Sequence, residues 1–214
     1  VNLDKFKYNE LKQNSHEELK FTFIGRILKD KGIEEFLSAA KEVKKKYNNV
    51  SFEVVGFVDE DRYIKMLNFY EEKGIINYLG KRDDIPDIIA SSSCIVLPSY
   101  GEGRGTVLQE GAAVGRPLIT TNTYGCKDNV EDGYNGFLCE VADVRSLINA
   151  MEKFIKLKPE QRIAMGRNSR LKAEKEFNRQ VIIDIYLNEI KKILSKINWS
   201  LLEYKKSKLI SYFD

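Results

Sequence analysis

The stretch CIVLPSYGEGRGTVLQEGAAVGRPLITT, Cys94 to Thr121, decides how the chain is read. Apolar CIVLPS (94–99) reads as a buried strand and PLITT (117–121) as another. Between them lie a glycine-rich loop and a helical run that stops at Gly115-Arg116-Pro117. Strand, loop, helix and strand in so short a span form the repeating unit of a parallel sheet. Glycines at 101, 103 and 105 leave backbone N–H groups free at the helix start, where the partial positive charge suits a phosphate or diphosphate. Two carboxylates flank that point. Glu102 stays in the loop, and Glu110 lies roughly 7 Å along the axis if the helix begins near Gly105. An anion repels carboxylates, so the pair makes sense as acceptors for hydroxyls on either side of a bound diphosphate. A sugar nucleotide fits: ribose near Glu110, diphosphate at the backbone of Gly105, Thr106 and Val107, and sugar near Glu102. As a solvated helix residue Glu110 would lack support, since positions 106 and 114 offer no cation.

The same alternation extends outward. LKFTFIG (19–25) reads as a strand, residues 32–47 as an amphipathic helix with Ile33, Phe36, Leu37, Ala40 and Val43 on one face, and SFEVVG (51–56) as the next strand. A helix over about 59–73, a short strand INYLG (76–80), a short helix IPDIIASS and a sixth strand GFLCEV (136–141) complete the pattern. This predicts an α/β fold with a parallel six-stranded sheet and helices on both faces, whose ligands bind at the carboxyl ends of the strands. From Asp143 the chain reads as helical: VRSLINAMEKFIKL, a helix opened by Pro159, and a third over about 179–196. Residues 1–18 read as an irregular polar junction, 19–195 as the nucleotide-sugar-binding domain and 196–214 as a C-terminal tail. That tail mixes Trp199, Leu201, Leu202 and Tyr204 with lysines; the expectation is packing on a partner or another domain, with a basic amphipathic helix at a membrane surface as the alternative.

Composition excludes several classes. The 214 residues are 43% hydrophobic with a net charge of +3, which points away from nucleic acid, as no basic run is interleaved with aromatics. Cys94, Cys126 and Cys139 have no CxxC spacing, so reduced thiols in a cytoplasmic compartment are expected. One histidine, His16, argues against a His-rich metal site. No apolar run approaches the roughly 18 residues of a membrane span.

Arg26 and Lys31 bracket the loop that follows the first strand, close to Gly25 and Gly32. From there two cations would reach a diphosphate held by the glycine loop and neutralise a departing nucleotide without a metal. Taken with Glu102 and Glu110, which have seven residues between them, these positions resemble the E-x7-E signature and diphosphate-binding pair of family 4, the retaining glycosyltransferases of GT-B fold, in their C-terminal, nucleotide-binding domain. The resemblance covers about residues 1–195. It implies a Rossmann-like sheet forming the C-terminal half of a GT-B fold. Arg26, Lys31 and Glu102 would be the catalytic residues and Glu110 would take the ribose. Gly25, Ser99, Gly103, Arg104, Gly105, Thr106 and Val107 would line the donor site, and the backbone of Gly80, Lys81 and Arg82 would meet the nucleobase. The donor implied is a nucleoside-diphosphate sugar, UDP-sugars first, with no metal or other cofactor.

Thr121 to Gly136, with Gly125, Glu131-Asp132-Gly133 and Asn135-Gly136, resembles the family segment that closes the nucleotide domain; its glycines read as turn formers. Val1 to Phe6 resembles a G-V-D-x-x-x-F junction, which implies an N-terminal acceptor-binding domain ahead of this chain and poor transfer by the chain alone. The acceptor expected is a bacterial surface polysaccharide, another saccharide or a lipid-linked glycan at the inner membrane face. Arg104, Thr106 and Gly111 depart from the family's usual residues, which leaves the sugar open. Two rival readings remain: a nucleotide-binding module without catalysis, and a sugar-nucleotide epimerase of the same fold. A glycosidase also uses two carboxylates but has no need of the glycine-rich helix start and its cations.

Overall fold

The computed structural model describes residues 1–12 and 18–210, with side chains described through residue 196 except at 182. His16 and the end of the tail, 211–214, therefore lie outside the described residues, as do the tail side chains from 197 onward. Six parallel strands, β1 (Leu19–Ile24), β2 (Val50–Val55), β3 (Asn77–Tyr78), β4 (Cys94–Leu97), β5 (Leu118–Thr121) and β6 (Gly136–Cys139), form one sheet in the order β3-β2-β1-β4-β5-β6. The chain steps outward from β1 to β3, then returns to the other side of β1 as β4. This reversal between β1 and β4 opens a crevice at the strands' carboxyl ends.

The helices are α1 (Ile33–Lys46), α2 (Asp61–Glu72), α3 (Ile85–Ser91), α4 (Thr106–Val114), α5 (Val144–Lys156), α6 (Pro159–Lys172) and α7 (Arg179–Ile210). Packing of α1 on α5 and of α4 on both α3 and α6 covers the two faces of the sheet. Strands β4 and β5 are accordingly buried along their whole length, as expected of a sheet sandwiched between helices. On the α1–α5 side the core is aromatic: Phe21 stacks on Phe52 at 5.4 Å and meets Phe154 edge-on at 5.7 Å. Phe36 of α1 packs edge-on against Phe52 at 6.0 Å. Such pairs add offset and edge-to-face attraction to the burial of large rings.

The N-terminal segment is more ordered than its polar composition predicts. Phe6 is 4% exposed, and Asn9 N–H donates to the Val114 carbonyl at the end of α4. Arg170 of α6 donates to the carbonyls of Phe6 and Ala113, so α4 and α6 hold this segment together. Two compact units are distinguished, Val1–Phe177 and Asn178–Asp214. The boundary expected at 195 falls inside one continuous helix, α7, which Asn178 opens by accepting from the Gln180 N–H at 3.0 Å. Among the described residues no helix is long and apolar enough to cross a membrane.

Candidate functional site

Two loops meet at the crevice. The first leaves β1 through Gly25 and Arg26, makes a 3-10 turn at Lys29–Lys31 and enters α1 at Gly32. The second leaves β4 through Pro98 and Ser99, runs along the glycines and enters α4 at Gly105. Gly32 has a φ of 75°, and a Cβ there would stand 2.1 Å from the Pro98 carbonyl oxygen, so only glycine lets the loops come this close. The Asp30 carbonyl accepts from Ser99 Oγ at 3.0 Å and from Tyr100 N–H at 2.8 Å. Tyr100 Oη donates to Glu35 Oε1 of α1 at 2.7 Å. Burial and this carboxyl together push the Tyr100 phenol up to about 12, which keeps it a donor at neutral pH.

Between the loops Lys31 Nζ donates to Glu102 Oε1 at 2.7 Å, both side chains mostly buried. Two of the residues singled out from sequence are therefore in direct contact, although 71 positions separate them. Arg26 is exposed at the mouth of the first loop and has no side-chain partner among the described residues. Gly103, Arg104 and Thr106 are exposed along the second loop, whereas Gly105 is buried. No side chain caps α4, so the N–H groups of its first turn, including Thr106 and Val107, face the crevice with the positive end of the helix dipole.

A third segment supports the glycine loop from behind. Gly125, with φ of 70°, lies so close that a Cβ would stand 1.8 Å from the Glu102 carbonyl oxygen. Asn129 Nδ2 donates to the carbonyls of Gly125 at 2.7 Å and Arg104 at 3.1 Å, joining the two segments. Glu102 N–H in turn donates to the Tyr124 carbonyl at 3.2 Å. The loop is thus braced on one side by the Asp30–Glu35 stretch and on the other by Tyr124–Asn129.

Glu110 sits one turn into α4 and is half-buried. Burial raises its carboxyl pKa, only partly opposed by Lys5. Ser99 is buried, with its hydroxyl committed to the Asp30 and Gly101 carbonyls. Gly80, Lys81 and Arg82 follow β3, three strands from β4 and so about 14 Å away at the usual strand spacing. Gly80 O accepts from Gly56 N–H at 2.9 Å, Arg82 is paired with Asp84 at 2.6 Å in solvent, and Lys81 is exposed.

The sequence reading missed Tyr100, Glu35 and Asn129. Tyr100 is visible only as a loop residue next to a glycine, and nothing in the spacing marks Glu35 as its partner. Burial holds Cys94 well above the ordinary thiol range and pushes Cys139 up to about 12, so neither serves as a nucleophile. Among the described residues no cluster of three or more His, Cys, Asp or Glu side chains is placed to hold a metal.

A doubly wound sheet with a glycine loop and a Lys–Glu pair at its switch point defines a class of α/β proteins that bind ligands at the strand ends. The chain belongs to the family described as glycosyl transferases group 1, whose model matches residues 4–172. Among relatives, it is 30% identical over 194 residues to the capsular polysaccharide biosynthesis glycosyltransferase CapM of Staphylococcus aureus, covering 85% of this chain and 50% of that protein. It is 34% identical over 154 residues to an Escherichia coli UDP-Gal:alpha-D-GlcNAc-diphosphoundecaprenol alpha-1,3-galactosyltransferase, covering 69% of this chain and 38% of that one. The chain thus spans about half, or less, of the curated relatives it matches.

The fold matches solved structures. Anabaena Alr3699/HepE in complex with UDP and glucose aligns with a TM-score of 0.77 at 20% identity, over 90% of this chain and 55% of that chain. The C-terminal domain of the group 1 glycosyl transferase LpcC from Francisella tularensis aligns with a TM-score of 0.72 at 22% identity, over 83% of this chain and 98% of that chain. The sheet and its helices are those of the C-terminal half of a GT-B fold, as the sequence predicts.

Proposed function

We propose that this chain is the donor-binding domain of a glycosyltransferase that takes a sugar from a nucleoside-diphosphate sugar, UDP-sugars first, and transfers it with retention of configuration. The observation that carries this reading is the meeting of Lys31 and Glu102 at 2.7 Å beside an uncapped helix start. Lys31 and Arg26 neutralise the departing diphosphate, with the backbone of Gly105, Thr106 and Val107 as further donors. Glu102 accepts from the sugar hydroxyls and Glu110 from the ribose, while the backbone at Gly80, Lys81 and Arg82 meets the base. No metal is required, because two side-chain cations and a helix dipole answer the leaving charge. The acceptor, a bacterial surface polysaccharide or lipid-linked glycan like those in the names of the relatives, is held by a second domain of the whole enzyme at the inner membrane face, and this chain alone transfers poorly.

Replacing Glu102 tests the assignment. In the full-length enzyme Glu102→Ala is expected to lower transfer by at least about 100-fold while UDP affinity, measured by calorimetry, changes less than about threefold. Unchanged turnover would remove Glu102 from the mechanism. A protein that binds free nucleotide without discriminating between sugars would instead be a non-catalytic module.

A further inference from the structure

Tyr100 and Glu35 belong neither to the Lys31–Glu102 pair nor to the glycine turn, yet they join the two loops that carry them. Glu35 is 9% exposed on the first turn of α1, and its Oε2 is buried with no hydrogen-bond partner. Among the described residues its other oxygen accepts only from Tyr100 Oη, at 2.7 Å. A buried carboxyl left half-satisfied costs stability, and buried polar atoms without partners are rare enough in folded proteins to need a reason. The location supplies one. Glu35 follows Lys31 by four residues, across Gly32 at the start of α1, and Tyr100 precedes Glu102 by two.

We infer that Tyr100 and Glu35 are a positioning pair that fixes Glu102 relative to Lys31 and keeps it aimed at the donor sugar, an inference that rests on the donor-site reading above. Four ties connect the loops: Ser99 Oγ and Tyr100 N–H to the Asp30 carbonyl, Tyr100 Oη to Glu35, and Lys31 to Glu102. A diphosphate competes for Lys31 and so dissolves the last of them. The two ties to Asp30 hold only the foot of the loop. The tyrosine hydroxyl then remains as the side-chain tie nearest Glu102 on the α1 side. Loss of it leaves residues 101–103 braced from the Tyr124–Asn129 side alone, and Glu102 is held less firmly toward Lys31.

The experiment uses the full chain with Tyr100→Phe, Glu35→Ala and Glu35→Gln. Hydrogen exchange of the Tyr100–Gly105 amides, which needs no ligand, is expected to speed up about fivefold in Tyr100→Phe and Glu35→Ala, with Glu35→Gln close to wild type because its amide oxygen still accepts from the phenol. Unchanged exchange overturns the tie. Calorimetric titration with UDP and a panel of UDP-hexoses is expected to show the preference for the sugar nucleotide over UDP reduced about fivefold in the same two variants, with UDP affinity within twofold of wild type. Equal losses for UDP and UDP-hexose would reduce the pair to structural support and overturn the inference. If wild type bound no nucleotide while exchange still responded, the donor-site reading would fail and the loop tie would stand.

Discussion

At the scale of single residues, Glu110 and Arg116 show how burial is used in opposite ways. Glu110 carries a carboxyl whose pKa burial raises from the ordinary 4.5, so the unfolded chain releases this proton first. Between the two values the folded state holds more protons, and stability therefore falls as pH rises through that window. Glu110→Gln should make the protein more resistant to urea at pH 7, with the difference vanishing once the pH drops below the ordinary carboxylate range. The same variant should bind the sugar nucleotide more weakly, because an amide accepts from ribose hydroxyls less strongly than a carboxylate. Denaturation at pH 3 and 7 beside one titration checks both halves. A variant at once more stable and less able to bind is the mark of a side chain kept for its ligand. Sequence reading singled out Glu102, Lys31 and Arg26 because charge in a glycine-bounded loop stands out, and Glu110 as a helix carboxylate with no intrahelical cation beside it. It could not find Glu35, which resembles any acidic residue in the first turn of a helix until its burial and its bond to Tyr100 are known.

Elements are held together by contacts that carry no sequence signature. Arg116 is 1% exposed and has no carboxylate partner among the described residues; burial brings its pKa down to about 10, still charged at neutral pH. Its guanidinium donates to the carbonyls of Ile89 and Ala90 at the end of α3, to Gly115 after α4, and to Asn9. One cation thus answers the negative ends of two helices and pins the N-terminal segment to them. Arg116→Met keeps the volume and removes every donor, which should cost about 3 kcal/mol in urea unfolding while leaving nucleotide affinity in the folded protein nearly unchanged. All six strands and the start of each helix were legible from alternation, since a sheet covered on both faces must read as apolar runs between amphipathic helices, although α7 runs past the expected 196 to Ile210. The packing of residues 1–12 was not. Phe6 and Leu11 are isolated apolar residues among polar ones, with no period to reveal which face they cover.

For the molecule as a whole, among the described residues every one in the buried core lies between Phe6 and Ala173, and all candidate site residues fall within the first compact unit, Val1–Phe177. Brief trypsin treatment should therefore cut near Lys175–Arg179 and leave a fragment that unfolds in one transition and retains UDP affinity. Loss of cooperative unfolding on cleavage would show that α7 is required for the first unit to fold. The second unit carries exposed Val181, Ile185, Tyr186 and Ile190 along α7.

The contact between Lys31 and Glu102 has one more consequence, for selectivity among the anions of a cell. Orthophosphate arriving at the crevice meets an ammonium already neutralised, and prising the two apart strands a mostly buried carboxylate without a partner. Only a molecule that brings hydroxyls as well as phosphoryl oxygens offers each half of the broken pair a new companion. Under the proposed function this pair would disfavour simple salts, with the sugar part of what opens it.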